Sequence, residues 1–408
     1  MSIASEISKL LQVPHRLQNV AGAYVTSLMQ EAERRTLQAA AAICGKDSSQ
    51  FSRLLSGHEE LARINLNRLA TRRLKKILRG RGVLVKGAPW TVGLLIDATL
   101  HERSSLHTDN VQRFNHGQGF VIGHQWTNIV LLIGEEVVPL PPIPFLTKKK
   151  CRELGQRYKT EHERVVEYLS ALNWAEVLPG VSPAEIVVLM DSGYDNKKLE
   201  NFILSKGWDF CVSLKKSRAV KTDTQGWQSV ESLFQRTRRI GLWQTIRHQA
   251  SGGRRKRREF RVRTLIATLK GVIARKVAII SAEKPNGERL FLACSRANLN
   301  ARAISGAYRL RWRIEIFHRE VKSYLGFEDA GLEHFTAMRA HCSWVYCAYL
   351  LLLELAEGEK STLARRRRLA CRRRTEEIGK ILELNGRFDA RAALQRHCYQ
   401  AKARAMAS

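Results

Sequence analysis

The spacing of apolar and polar positions changes several times along the chain, and each change predicts a different kind of element. From Leu17 to Ala42 there are few breakers, which predicts a long helical stretch. Asp47 and Ser48 offer caps for a short helix through Leu55, and Ser56-Gly57 makes a turn. A second helix is predicted from Glu59 to Leu78. Its apolar positions Leu61, Ile64, Leu66, Leu69, Leu74 and Ile77 leave Arg63, Arg68, Arg72, Arg73, Lys75 and Lys76 largely toward solvent. Helix, turn and basic helix suits a major-groove reader, and equally a helical bundle that never touches DNA.

After residue 90 the pattern becomes strand-like. Thr91 to Ile96 is a short apolar run ending in Asp97, and Gly119–Ile122 and Ile129–Ile133 predict further strands. Prolines at 139, 141, 142 and 144 close that region, and Lys148 to Leu172 predicts a helix. Ile186 to Met190 is an uninterrupted apolar strand ending in Asp191 and the turn Ser192-Gly193-Tyr194. A helix at 197–204 and a strand at 210–214 complete an alternating α/β pattern with a mixed sheet. The stretch from 217 to about 295 interrupts it with β-type segments at 262–269, 272–281 and 289–293. A helix follows at about 303–325, and Trp344 to Leu353 predicts a buried helix flanking the core.

Charge adds a partner to this outline. The chain has 408 residues and a formal net charge of +31. Residues 1–90 carry +9, residues 236–276 carry +13 and residues 361–408 carry +9, so everything else is neutral. A neutral body with three basic zones suggests a polyanion gripped at several places; a solubility device is the plainer alternative. The loop Arg254-Arg255-Lys256-Arg257-Arg258 and the arginine run at 365–374 are the densest parts, each readable as a phosphate contact or as a solvated, flexible segment. No run of 18 apolar residues exists, which excludes a transmembrane span by hydropathy. The eight cysteines include no C-x-x-C pair, and Met1 to Glu6 lacks the start of a secretory signal, so reduced thiols in the cytosol are expected.

The chemistry gathers around three acids. Asp97 and Asp191 each end an apolar strand, where open α/β sheets build their sites, although Asp is also a common turn former there. In the 303–325 helix, Leu310, Ile314, Phe317, Val321 and Tyr324 form one apolar stripe. Tyr308, Arg311, Glu315 and Lys322 share another face, with Arg319 close to it. One acid among fixed cations suits a site that holds metal beside phosphate, and a solvated helix surface can carry the same charges.

Tyr308-x2-Arg311-x3-Glu315-x6-Lys322 resembles the Tyr-Arg-Glu-Lys signature of bacterial insertion-sequence transposases of the DDE type. Asp97 in its Leu-Ile-Asp strand, Asp191-Ser192-Gly193-Tyr194 and the β-rich segment before Glu315 extend the resemblance over about residues 90–355. It implies an α/β fold with a ribonuclease-H-like catalytic core and a β-rich insertion, preceded by a helical N-terminal domain. The expected division is 1–88 helical and DNA-binding, 89–216 core, 217–298 basic insertion, 299–358 core, and 359–408 basic tail.

The chemistry expected of such a chain is phosphodiester cleavage at transposon ends followed by joining of the freed 3′-hydroxyl to target DNA. That needs an activated oxygen nucleophile, a stabilised pentacovalent phosphorus and a stabilised leaving oxygen, which two divalent ions supply together. An all-carboxylate set, Asp97, Asp191 and Glu315, suits hard cations, so two Mg²⁺ ions are expected, with Mn²⁺ able to substitute. Arg311 would grip phosphate as a fork, Lys322 as a point charge, with Tyr308 and Arg319 beside them. Trp243 is the candidate for stacking on a flipped base in a hairpin intermediate. The expected partners are double-stranded DNA, both element ends and target, and a second copy of the chain in a homodimer, with no membrane involved and the bacterial nucleoid as the site of action. A non-catalytic end-binding regulator and a same-fold nuclease that cuts without joining are the alternatives.

Overall fold

The computed structural model describes residues 3–30, 36–103, 106–117, 119–237, 244–249, 257–273, 276–283 and 286–385. They form two compact units. One comprises residues 1–70, 105–109 and 318–408; the other comprises residues 71–104 and 110–317.

The chain begins with five helices: α1 (Ile3–Leu10), α2 (His15–Met29), α3 (Leu37–Cys44), α4 (Ser48–Gly57) and α5 (Glu59–Leu78). The predicted stretch 17–42 is therefore two helices. Gln30 leaves helical geometry, and α3 starts afresh where the Thr36 side chain accepts from the Ala39 amide at 3.2 Å. Asp47 caps α4 through the Ser49 amide at 2.7 Å. Helix α5 spans the predicted residues, but its buried stripe is rotated from the expected one. Ala62, Leu66, Leu69, Ala70, Leu74 and Leu78 are buried, whereas Ile64 is 44% exposed. The small alanines complete the stripe, and that rotation carries two arginines off the solvent face. Arg68 donates to the Leu10 carbonyl. Arg73 is buried and grips Glu136 with two parallel bonds, Nε to Oε2 and Nη2 to Oε1, both 2.8 Å.

The strands are β1 (Val92–Glu102), β2 (Gln112–His116), β3 (Gly119–Ile133), β4 (Glu136–Pro139) and β5 (Ile143–Pro144). The two short strands expected within 119–133 are one long strand, and the proline-rich segment still pairs with it through β4 and β5. Helices α6 (Lys148–Glu153), α7 (Glu161–Ala171) and α8 (Trp174–Val177) follow. The single helix expected at 148–172 breaks at Leu154, and a capping box between Thr160 and Glu163 starts α7. Next come β6 (Ile186–Met190), α9 (Lys197–Ser205), β7 (Asp209–Leu214), β8 (Ala219–Lys221), β9 (Gln228–Ser229) and α10 (Val230–Arg236). Strands β10 (Gln244–Gln249), β11 (Arg257–Leu269), β12 (Lys276–Glu283) and β13 (Arg289–Cys294) complete the set.

Among the described residues these strands form one sheet, in the order β2-β3-β1-β6-β7-β13-β12-β11-β8-β9, with β4 and β5 paired to β3 and β10 to β11. Strands β1, β6 and β7 are parallel; β3 and β13 run antiparallel to their neighbours. All residues of β6 and β7 are buried, which is why they read as continuous apolar runs. The 217–298 segment does not form a separate layer. Its strands continue the core sheet through β13, which pairs with the edge that β7 would otherwise leave open. Asp209 pins this junction, accepting from Trp90 Nε1 at 2.9 Å, Ser295 Oγ at 2.8 Å and Arg296 Nε at 2.8 Å.

Four helices close the described chain: α11 (Ala301–Leu310), α12 (Trp312–Leu325), α13 (Phe335–Leu355) and α14 (Thr362–Asn385). The helix expected at 303–325 is split at Arg311, where bonds from the Arg311 amide to Tyr308 and from the Ile314 amide to Arg311 tighten one turn. In the first unit α13 is the central helix, buried almost all round and packed on α2, α4 and α14. Tyr24 Oη and His341 Nδ1 are bonded at 2.7 Å inside it. The arginine run, read as DNA contact or flexible tail, lies within α14. There Arg366 is buried with its guanidinium donating to the Met29 and Gln30 carbonyls at the end of α2, and Arg372 pairs with Glu6 at 2.6 Å. Carbonyls at a helix C-terminus lack internal partners, and arginine supplies them. Among the described residues no helix is long and apolar enough to cross a membrane.

Arg73→Ala is expected to destabilise the protein by about 1–3 kcal/mol, because Glu136 loses both donors in a partly buried place. Arg73→Met, which keeps the stem packing, should cost less. Urea unfolding of the two variants checks this, and equal midpoints for wild type and Arg73→Ala would contradict it.

Candidate active site

The C-terminal ends of β1 and β6 bring two acids side by side. In the parallel register Ile96 faces Met190, so the next residues, Asp97 and Asp191, stand about one strand spacing of ~4.8 Å apart along the sheet edge. Asp97 faces the buried Asn128 across the β1–β3 ladder, and one of its oxygens accepts from the Ala98 amide at 3.0 Å. Asp191 caps the turn Ser192–Tyr194 by accepting from the Gly193 amide at 2.8 Å. A side chain at position 193 would crowd that carboxylate, since a Cβ there would lie 3.0 Å from Asp191 Oδ1.

Glu315 comes from α12. Arg311, one turn earlier at the tightened junction, donates through Nη2 to Glu315 Oε1 at 2.5 Å, and its guanidinium lies 5.7 Å from the Tyr308 ring centroid. The three acids share one electrostatic neighbourhood. Burial raises the Asp97 carboxyl to about 7; Asp191 adds to the rise, Arg311 opposes it, and Glu315 adds to it again. Burial works against charge on Arg311, but Tyr308, Glu315 and Asp97 together hold it more firmly protonated than usual.

A second carboxylate network stands behind Asp191. Tyr194 donates to Glu161 Oε1 at 2.5 Å, Thr127 donates to the same oxygen at 2.7 Å, and Gln125 donates to Oε2 at 3.0 Å. Burial, followed by Glu161, raises the Tyr194 hydroxyl well above its ordinary range, so it remains a neutral donor. His162 Nε2 bonds the Gly193 carbonyl at 2.9 Å. Sequence reading missed Glu161, Thr127 and His162. The signal at 160–163 is dominated by a helix start, where acids are expected for capping alone.

The remaining sequence-derived candidates are more scattered. Lys322 pairs with Glu328 at 2.7 Å, and Arg319 is exposed on the same helix. Trp243, Arg254, Arg255 and Lys256 lie outside the described residues, and for Arg257 and Arg258 only the β11 backbone is described. His101 and His124 are buried and face each other across β1 and β3, with ring centroids 6.2 Å apart.

Among the described residues no three His, Cys, Asp or Glu side chains already stand as a metal-binding group; Glu315 is held by Arg311 instead. The donor chemistry nevertheless fits a hard cation, with oxygen donors only and an Asp97 whose ionisation a cation would favour.

Residues 170–351 match the family described as Transposase DDE domain. The matched span contains Asp191 and Glu315, and the register of β1 against β6 adds Asp97 from outside it. The match supports a transposase DDE domain over that stretch of the chain, and with it a transposase function in general. No curated protein matches the chain.

The raised Asp97 carboxyl sets a pH dependence of stability. Near pH 4 and below, it is protonated in folded chains, so little penalty exists; as pH rises toward about 7 the unfolded chain ionises first and stability falls. In chelator-treated protein, Asp97→Asn is therefore expected to be more stable than wild type at about pH 8, with a ceiling of roughly 4 kcal/mol from a shift of about three units. The two should converge near pH 4. Denaturant melts at both pH values measure the difference, and a gap of equal size at each would refute the assignment.

Proposed function

We propose that the chain is a DNA transposase that cleaves phosphodiester bonds at transposon ends and joins the freed 3′-hydroxyl to target DNA. The observation that carries this reading is the parallel register that sets Asp97 and Asp191 at adjacent strand ends, with Glu315, held by Arg311, among the charges that raise the Asp97 carboxyl. The order β4-β3-β1-β6-β7, with β1, β6 and β7 parallel, supports a ribonuclease-H-like core. The DDE-domain match supports the same class.

Each residue has a role that follows from its position. Asp97, Asp191 and Glu315 would hold two Mg²⁺ ions, with Mn²⁺ as a substitute. When bound, the ions supply Lewis-acid stabilisation of charge developing at phosphorus and at the leaving oxygen. With a cation bound, Asp97 would release to solvent the proton its buried site favours and serve as a carboxylate donor. Glu315 exchanges one Arg311 bond for that duty, which frees one edge of the guanidinium to grip a phosphate as a fork. Tyr308, under that guanidinium, limits where the fork can swing. Lys322 and Arg319 further along the helix, the cations at 254–258 and Trp243 remain candidates for phosphate contact and base stacking. The chain acts on paired ends as a homodimer.

A strand-transfer assay with a labelled duplex carrying the element's end, Mg²⁺ and a target plasmid tests the reading. Joined products are expected from wild type. Glu315→Gln and Asp97→Ala should lower their yield at least about 10³-fold while duplex binding persists. Cut but unjoined ends would identify a nuclease of the same fold. A mobility shift without any cleavage would identify an end-binding regulator.

A further inference from the structure

The third parallel strand, β7, ends beside β6 on the same edge as the acids, and the charges around its end have no role in the reading above. Lys215 follows its last residue. A cavity of about 550 Å³ opens there, lined by Lys197, Lys215, Ser217, Arg218 and Lys270 together with Asp195.

These cations divide into two kinds. Arg218 is engaged through both terminal nitrogens, with Nη1 3.2 Å from Asp195 Oδ1 and Nη2 2.5 Å from Glu200 Oε2, both acids being buried. Asp195 also accepts from the Lys215 amide at 3.0 Å, which fixes the start of the segment after β7. Arg218 is therefore a brace. Lys197, Lys215 and Lys270 are exposed, and among the described residues their ammonium groups have no acidic partner. Their chain neighbours behave differently: Lys198 pairs with Glu163 at 3.3 Å and Lys216 with Glu231 at 3.7 Å.

The third side of the cavity is contributed by the turn between β11 and β12. Asn201 of α9 donates to the Gly271 carbonyl at 2.9 Å and accepts from the Ile273 amide at 2.8 Å. Gly271 has φ +80°, and a Cβ there would stand 2.9 Å from Lys197 Cδ. The positive φ favours glycine at this turn, where it lies against the Lys197 stem, and Lys197 and Lys270 both line the cavity.

We propose that this cavity is a second phosphate-binding site that takes a stretch of DNA backbone, with Lys197, Lys215 and Lys270 each meeting a phosphate. The proposal rests on the transposase reading. The carboxylates of the proposed site repel a polyanion, and cations at the end of the next parallel strand offset that repulsion along a bound strand. Three flexible point charges, without a guanidinium fork or a cradle of amides, suit a sliding backbone better than a small free anion.

The test uses the full-length protein and a fluorescein-labelled duplex carrying the element's end, with anisotropy read against salt. The triple Lys197→Gln/Lys215→Gln/Lys270→Gln variant is expected to lose up to about 2.7 from the log–log salt slope, roughly 0.9 for each phosphate contact. Lys198→Gln/Lys216→Gln, which removes paired lysines, should leave the slope nearly unchanged. If the triple variant does not fold, the three single substitutions are read the same way, each expected to remove about 0.9. An unchanged slope in the triple variant, or an equal loss in the paired-lysine control, overturns the site. So does stabilisation of wild type by inorganic phosphate, lost in the triple variant, when the DNA slope stays the same. Should wild type neither bind the duplex nor cleave it with Mg²⁺, the transposase reading falls and this site with it. If wild type cleaves, Glu315→Gln does not, and the slope still ignores the lysines, only the phosphate site is wrong.

Discussion

The burial of Asp97 beside other charged groups is the constraint on which the rest of this site depends. Burial does most to raise the Asp97 carboxyl, and the neighbouring Asp191 and Glu315 add to the rise while Arg311 opposes it. Isolated charges of this kind are expelled from protein interiors unless something holds them. Here the holding is done by the sheet. The strands carrying the two aspartates are apolar and buried up to the acids, so the acids cannot separate without breaking the core. Arg311 offsets part of the repulsion through Glu315. The sheet thus fixes the acids in place, and a bound cation of the kind proposed would favour the ionised form of Asp97.

The large positive charge is used in more than one way. Arg73 and Arg366 are buried and Arg218 is partly covered, and all three are occupied by acids or carbonyls, so they contribute to folding and offer little to a ligand. Lysines such as Lys197, Lys215 and Lys270 are exposed and lack acidic partners among the described residues. The difference follows from chemistry: a planar guanidinium satisfies several fixed acceptors at once, whereas a hydrated ammonium loses more on burial. Net charge therefore overstates the number of phosphate contacts available, and the pairing of each cation matters more than the total.

The β-rich segment and the family match bear on the same architecture. Because β13 pairs with β7, the segment between Asp191 and Glu315 extends the core sheet, and α11 then returns the chain to β6 and β7. Long-range return of this kind places Glu315 near an acid more than two hundred residues away without any local sequence signal. The matched residues 170–351 include that excursion and its return, but begin after the strand of Asp97.

Much of this was legible in the order of residues. Apolar runs predicted β1, β6 and β7 because central parallel strands are buried on both faces, and caps and turn residues predicted α4 and α5 because those signals are local. The acids were visible as strand-end and helix-face residues. The breaks at 30, 154 and 311 were not, since each depends on a side chain or carbonyl finding a partner as the helix packs. Which stripe of α5 is buried, and which arginines stay exposed, was likewise hidden: alanine reads as neutral in a pattern but fills a close helix contact. What the sequence by itself determined is the set of elements and the chemical kind of the site, because periodicity and side-chain type are local properties. Only the tertiary structure decided that Arg311 holds Glu315, that Glu161 stands behind the Asp191 turn, and that three lysines open onto one cavity, because charge pairing depends on distances across the fold that no spacing along the chain encodes.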